Sequence, residues 1–130
     1  MVSIRTTIAG CAAALALTAC QPTVQQLSAD EVRSTFVGMT SYGTVGDGKN
    51  FVAYLAPDGT IKARDGDKQD AGRYRIDPNG ELCIHYQDQQ QPEDVCQTLW
   101  RGNGKYYSTL DGARPGAIIT TVRPGNADNL

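Results

Sequence analysis

After Gly38 the chain alternates apolar and polar residues in short runs, and most of these runs stop at a glycine-containing turn. In FVAYLAPDGTIKAR, residues 51–64, two such runs flank Pro57-Asp58-Gly59. GRYRIDPNGELCIHY, residues 72–86, repeats the device around Pro78-Asn79-Gly80, and TLWRGNGKYYSTL, residues 98–110, around Gly102-Asn103-Gly104. A period of two marks a strand with one buried face, and no helical period follows residue 38. Proline at the first corner with glycine after the second predicts a type I turn whose glycine is left-handed. That turn sets a register in which Leu55 meets Ile61, Tyr74 meets Ile84 and Ile76 meets Leu82. The expectation is a mainly β protein: a small antiparallel meander of seven or eight strands, forming a sandwich or partly closed barrel. By composition, GTVGDGKN (43–50) and DGDKQDAG (65–72) read as loops.

Before the strands, SADEVRSTFVG (28–38) has the marks of one short helix. Ser28 with Glu31 forms a capping box, Asp30 suits the first turn, and Gly38 is a natural stop. Leu27, Val32 and Phe36 supply an apolar face, which must pack on something because so short a helix is marginal alone. Further upstream, Met1 to Thr7 carry one charge, Arg5, and Ile8 to Leu17 are uncharged and mostly apolar. That run suits an export signal and is too short to span a bilayer. It ends in Leu17-Thr18-Ala19-Cys20, which resembles the bacterial lipobox. The resemblance implies cleavage before Cys20 and acylation of that cysteine, so residues 1–19 are a signal peptide and residues 20–27 a lipidated tether. Residues 28–125 then form a single helix-plus-β domain, and 126–130 a flexible tail. Several acyl chains give the durable membrane attachment that one chain does not. Gln21 in place of Asp implies, by resemblance to lipoprotein sorting, the outer membrane facing the periplasm.

The 14 acids face 12 bases, one of which, Arg5, leaves with the signal. No basic stripe accompanies this balance, so the chain lacks the footprint of a nucleic-acid binder. Of four cysteines, Cys11 leaves with the signal and Cys20 is taken by lipid. Cys83 and Cys96 remain in a compartment that permits disulfides, which argues for one bridge over two free thiols or a metal pair. If the two runs pair as a hairpin with Cys83 opposite Cys96, then Ile84 meets Val95 and His85 meets Asp94. The bridge would fix a register that the glutamine-rich QDQQQPED turn sets poorly.

Candidate chemistry is sparse, and each candidate has a plainer reading beside it. His85 and Asp94 supply two-thirds of a nucleophilic triad, but no G-x-S-x-G elbow exists and a cross-strand His–Asp pair is an ordinary surface feature. Asp65, Asp67 and Asp70 lack the order of a calcium loop, so a solvated loop is the better reading. Gly43, Gly46 and Gly48 do not open a helix as a phosphate fingerprint does. One histidine is too few for a typical zinc site. Trp100, Tyr106 and Tyr107 form either a ligand platform or core; all nine aromatics fall between Phe36 and Tyr107. No metal, cofactor or catalytic residue is expected.

The run from LSADEVRSTFVGMT through YLAPDGT and AGRYRIDPNGELCIHY to TVRPGN resembles small exported bacterial β-domain proteins of unknown function. Their core reads G-[TR]-[WY]-x-[VI]-x-x-x-G-x-L-C and precedes a second cysteine strand; Tyr74 stands where many members have Trp. The resemblance implies a fold and no activity. The expectation is a non-enzymatic, membrane-anchored envelope lipoprotein that binds a protein or envelope component. The alternatives are a small-molecule carrier or sensor using a barrel pocket, and, by architecture alone, a lysozyme-inhibitor-like protein. A pocket would announce itself by aromatic or apolar residues beyond the needs of a core, and such an excess is not evident.

Overall fold

The two-residue period becomes strand almost throughout the computed structural model, which describes residues 24–46, 48–87, 94–109 and 115–130. The elements run β1 (Gln25–Gln26), α1 (Ala29–Phe36), β2 (Met39–Val45), β3 (Lys49–Leu55), β4 (Thr60–Asp65), β5 (Lys68–Ile76), β6 (Leu82–Tyr86), β7 (Val95–Gly102), β8 (Lys105–Thr109) and β9 (Pro115–Pro124). From β2 to β9 each strand is antiparallel to the next, and β9 returns to pair with β2, closing an eight-stranded up-and-down barrel. Closure removes the exposed edges that an open meander would leave. β1 is the extra strand. It pairs Gln25 with Arg101 and Gln26 with Trp100, on the stretch of β7 beyond its pairing with β6.

The turns and the register follow the hydrophobic pattern. Gly59 and Gly80 have φ of 92° and 89°, and their amides donate back to Ala56 and Asp77 carbonyls, closing the two three-residue hairpins. Asn103 and Gly104 are both left-handed, giving the third hairpin a two-residue turn of the primed kind. Leu55 meets Ile61, Tyr74 meets Ile84 and Ile76 meets Leu82, as the turn chemistry dictates, and Cys83 meets Cys96 and Ile84 meets Val95, the register expected from pairing the cysteines.

The two stretches read as loops from composition are mostly strand. β2 runs through Gly43 to Val45 and β3 resumes at Lys49, while β4 and β5 flank a turn at Gly66-Asp67. Glycine was the misleading signal, because two of these glycines serve the wall itself. A Cβ on Gly43 would stand 1.8 Å from the Ile118 carbonyl oxygen, and one on Gly72 2.1 Å from that of His85. At both places neighbouring backbones approach more closely than any other residue permits, as a tightly curled small barrel requires.

α1 closes one end of the barrel. Ser28 and Glu31 complete the capping box in both directions, at 3.2 and 3.0 Å, and Arg101 of β7 pairs with the Glu31 carboxylate. Leu27, Val32 and Phe36 are essentially buried, and the Phe36 ring meets Tyr106 edge-on at 5.1 Å. The C-terminal residues are docked on the outside of the wall where composition suggested a loose tail. Thr40 Oγ1 donates to the Gly125 carbonyl and accepts from the Ala127 amide, Asp128 pairs with Arg64, and Leu130 is buried. Among the described residues no helix is long and apolar enough to cross a membrane.

Candidate functional site

Alternation along a closed barrel sends one residue in two to the interior, and the register identifies which. Phe51, Ala53 and Leu55 of β3 share the inward face with Asp65, Ala63 and Ile61 of β4, and these continue to Lys68, Asp70 and Gly72 of β5. Across the next ladder, Gly72 meets Tyr86 and Tyr74 meets Ile84. The interior these residues enclose is not filled. It holds a cavity of about 560 Å³, within the range of small-molecule sites.

The cavity is apolar toward α1 and polar toward the opposite end. Phe36, Leu55, Ile61, Leu82 and Leu99 line its floor beside the helix. Lys49, Asp65 and Lys68, all exposed, stand at the other end, where β2 turns into β3 and β4 into β5. The other polar side chains of the wall are Asp70, one inward step from the mouth, Tyr86 on the neighbouring strand, Gln97 opposite Leu82 and Ser41 opposite Ala53. The space exists because several inward positions carry small side chains: Ser41, Ala53, Ala63 and Ala117. Eight strands enclose an interior just wide enough for side chains to fill, so small ones leave room for a ligand.

Two polar groups of the cavity are held in defined states. The Asp70 carboxylate accepts from the Ala71 amide through Oδ1 at 2.8 Å, while its Oδ2 is buried with no hydrogen-bond partner among the described residues. Burial pushes the Tyr86 phenol up to about 12, and the nearby carboxylates of Asp70 and Asp65 act in the same direction. Tyr86 therefore keeps its proton at any physiological pH and offers a donor to the cavity. Tyr74, farther down the wall, is also raised by burial, then by Asp58 and Tyr54, and donates to the Ala56 carbonyl at 2.6 Å.

The candidates singled out in the sequence lie elsewhere or play other parts. His85 Nδ1 is 3.5 Å from Asp94 Oδ1, the expected pairing, but both side chains lie on the outward face, flanking inward Ile84 and Val95. Arg75 Nε donates to the other Asp94 oxygen at 3.2 Å, so the carboxylate is shared in a surface ion-pair group. Cys83 and Cys96 face each other across β6 and β7 with Cα atoms 3.9 Å apart and sulfurs at disulfide distance. The proposed platform is divided by the pleat: Tyr106 points inward to Phe36, whereas Trp100 and Tyr107 face each other on the outer side. Of the three loop acids, Asp65 and Asp70 line the cavity, and no group of three metal-ligating side chains exists among the described residues. Cys20, the lipobox Leu17-Thr18-Ala19 and the signal segment lie outside the described residues.

Sequence reasoning missed the cavity because it looked for a surplus of aromatics. The usable signal was a deficit, alanine and glycine at positions the register turns inward. No protein-family model matches the chain, and no curated protein or solved structure does either.

Proposed function

We propose that this chain is a membrane-anchored envelope lipoprotein whose barrel binds a small, largely apolar molecule, as a carrier or sensor. The observation that carries the reading is the 560 Å³ cavity with its apolar floor and polar mouth. A protein with no ligand to hold gains by filling such a space, since each unfilled volume element forfeits packing energy. Keeping alanine at 53, 63 and 117 makes sense if the lost contacts are restored by a ligand. A docking surface for a protein partner would call for a contiguous apolar patch. Among the described residues the large hydrophobics that are exposed are Val24 and Ile118, in separate strands or segments.

The test is a fluorescence titration with N-phenyl-1-naphthylamine, a neutral probe that brightens in apolar surroundings. The full chain carrying Cys20→Ser keeps micelles and bilayers out of the titration. Saturable binding of one probe per chain is expected, and Ile84→Trp, which projects a larger side chain into the same space, should abolish it while the β-sheet circular dichroism is retained. Absence of saturable binding, or binding indifferent to Ile84→Trp, would sink the proposal.

A further inference from the structure

The cavity has one feature that an apolar ligand alone leaves unsatisfied. Asp70 stands on the inward face of β5, opposite Ala63, one inward step below the Asp65–Lys68 pair at the mouth. Its Oδ1 is used by the Ala71 amide, and its Oδ2 is buried without a partner among the described residues. A buried carboxylate oxygen left without a donor is costly, and native proteins satisfy such atoms almost without exception. The Tyr86 hydroxyl belongs to the neighbouring strand, where Tyr86 pairs with Gly72 one inward step from Asp70; Gln97, opposite Leu82, and Ser41, opposite Ala53, are the other uncharged polar side chains of the lining. The lysines of the site, Lys49 and Lys68, are both at the exposed mouth, where water screens them. The charge farthest in from the mouth is therefore negative, and below Asp70 the lining carries no further charge.

We infer that the ligand is a cationic amphiphile: an apolar chain or ring system seated on the floor of Leu55, Ile61, Leu82 and Leu99, with an amine head donating to Asp70 Oδ2. An ammonium group satisfies the orphaned oxygen with a charge-assisted hydrogen bond, the strongest kind available there. A further ammonium proton can go to the Tyr86 hydroxyl oxygen on the neighbouring strand of the wall. The volume equals that of roughly nineteen water molecules at ~30 Å³ each, which accommodates an alkyl amine of about a dozen carbons. A carboxylate head placed at the same depth would face Asp70 directly, and like charges in a low-dielectric site repel strongly. This assignment rests on the ligand-binding reading above and adds the charge of the ligand's head.

Competition with N-phenyl-1-naphthylamine by dodecylamine, dodecanol and dodecanoate, each below its micellar range at neutral pH, separates the two. Dodecylamine should displace the probe at least about tenfold more tightly than dodecanoate, with dodecanol between them. Asp70→Asn keeps an acceptor for the Ala71 amide and removes the charge, so it should bring amine and carboxylate within about threefold while leaving dodecanol unchanged. Equal or tighter binding of dodecanoate to the unmutated cavity overturns the amine assignment without needing any variant. A preference for dodecylamine that survives in folded Asp70→Asn overturns the role of Asp70. Both outcomes leave the ligand-binding reading standing, whereas failure of the probe itself to bind removes that reading first.

Discussion

Tyr86 and Asp70 occupy neighbouring strands of one wall, and their environments differ in a way that pH can expose. The folded state holds the Tyr86 proton up to about 12 because the phenolate would be desolvated and would face Asp70 and Asp65. An unfolded tyrosine ionises near 10. The folded pKa is thus the higher one, so this group's contribution to stability is fully present below pH 10 and is lost as pH rises toward 12. The loss is about 2 kcal/mol by the upper end of that window. Urea midpoints measured at pH 9 and pH 11.5 should therefore converge in Tyr86→Phe relative to the unmutated chain; parallel alkaline losses in the two proteins would refute this. Tyr86 did not stand out in the sequence, and Asp70 did so only as one acid of a loop read as solvated. Asp70 sits in a glycine- and aspartate-rich stretch that composition assigns to solvent, and only the pairing of Ala63 with Asp70 turns it inward. Single-residue properties are silent about this, because facing is a property of register.

Hairpin register was legible where turn chemistry fixes it locally and illegible where distant strands decide. Pro57-Asp58-Gly59 and Pro78-Asn79-Gly80 set the β3–β4 and β5–β6 ladders from their own few residues. The β9–β2 seam that closes the barrel joins segments at opposite ends of the domain, and its irregularity between Tyr42 and Gly43 has no local signature. The docked tail is the same kind of case, since Thr40 and Arg64 are far from it in sequence. The β6–β7 ladder is short, with three paired positions among the described residues, 82 to 84 against 97 to 95. Its turn sequence fixes register weakly, so the cysteine pair at its middle position is the element's main constraint. Closing a loop of this size stabilises by about 3 kcal/mol in the chain-entropy model. Cys83→Ala with Cys96→Ala, or reduction, should lower stability by about that amount. Amide exchange should accelerate first in Leu82–Tyr86 and Val95–Gln97, ahead of the longer β4–β5 ladder. Uniform acceleration across the barrel would mean that the pair staples the whole sheet and not this seam.

At the scale of the whole molecule, the position of the N-terminus gives the cavity an orientation. The chain enters the fold at β1, where Gln25 pairs with Arg101 close to the Asn103-Gly104 turn, and then folds into the helix that floors the barrel. The mouth, at Lys49, Asp65 and Lys68, is at the other end. If Cys20 carries lipid, four residues lie between the anchor and Gln25, and the five steps reach at most about 18 Å. So short a tether holds the floored end toward the membrane and leaves the mouth facing the aqueous compartment, from which the ligand would enter. This arrangement separates two properties that a lipid-fed cavity would combine. Cys20→Ser should move the protein from the membrane fraction to the soluble fraction and block lipoprotein processing. Its affinity for N-phenyl-1-naphthylamine should nevertheless match that of the anchored protein in nanodiscs, after correction for probe taken up by empty discs. Retention in the membrane fraction would discard the anchor, whereas release accompanied by a large loss of affinity would mean that the cavity fills from the bilayer, with its mouth turned toward it.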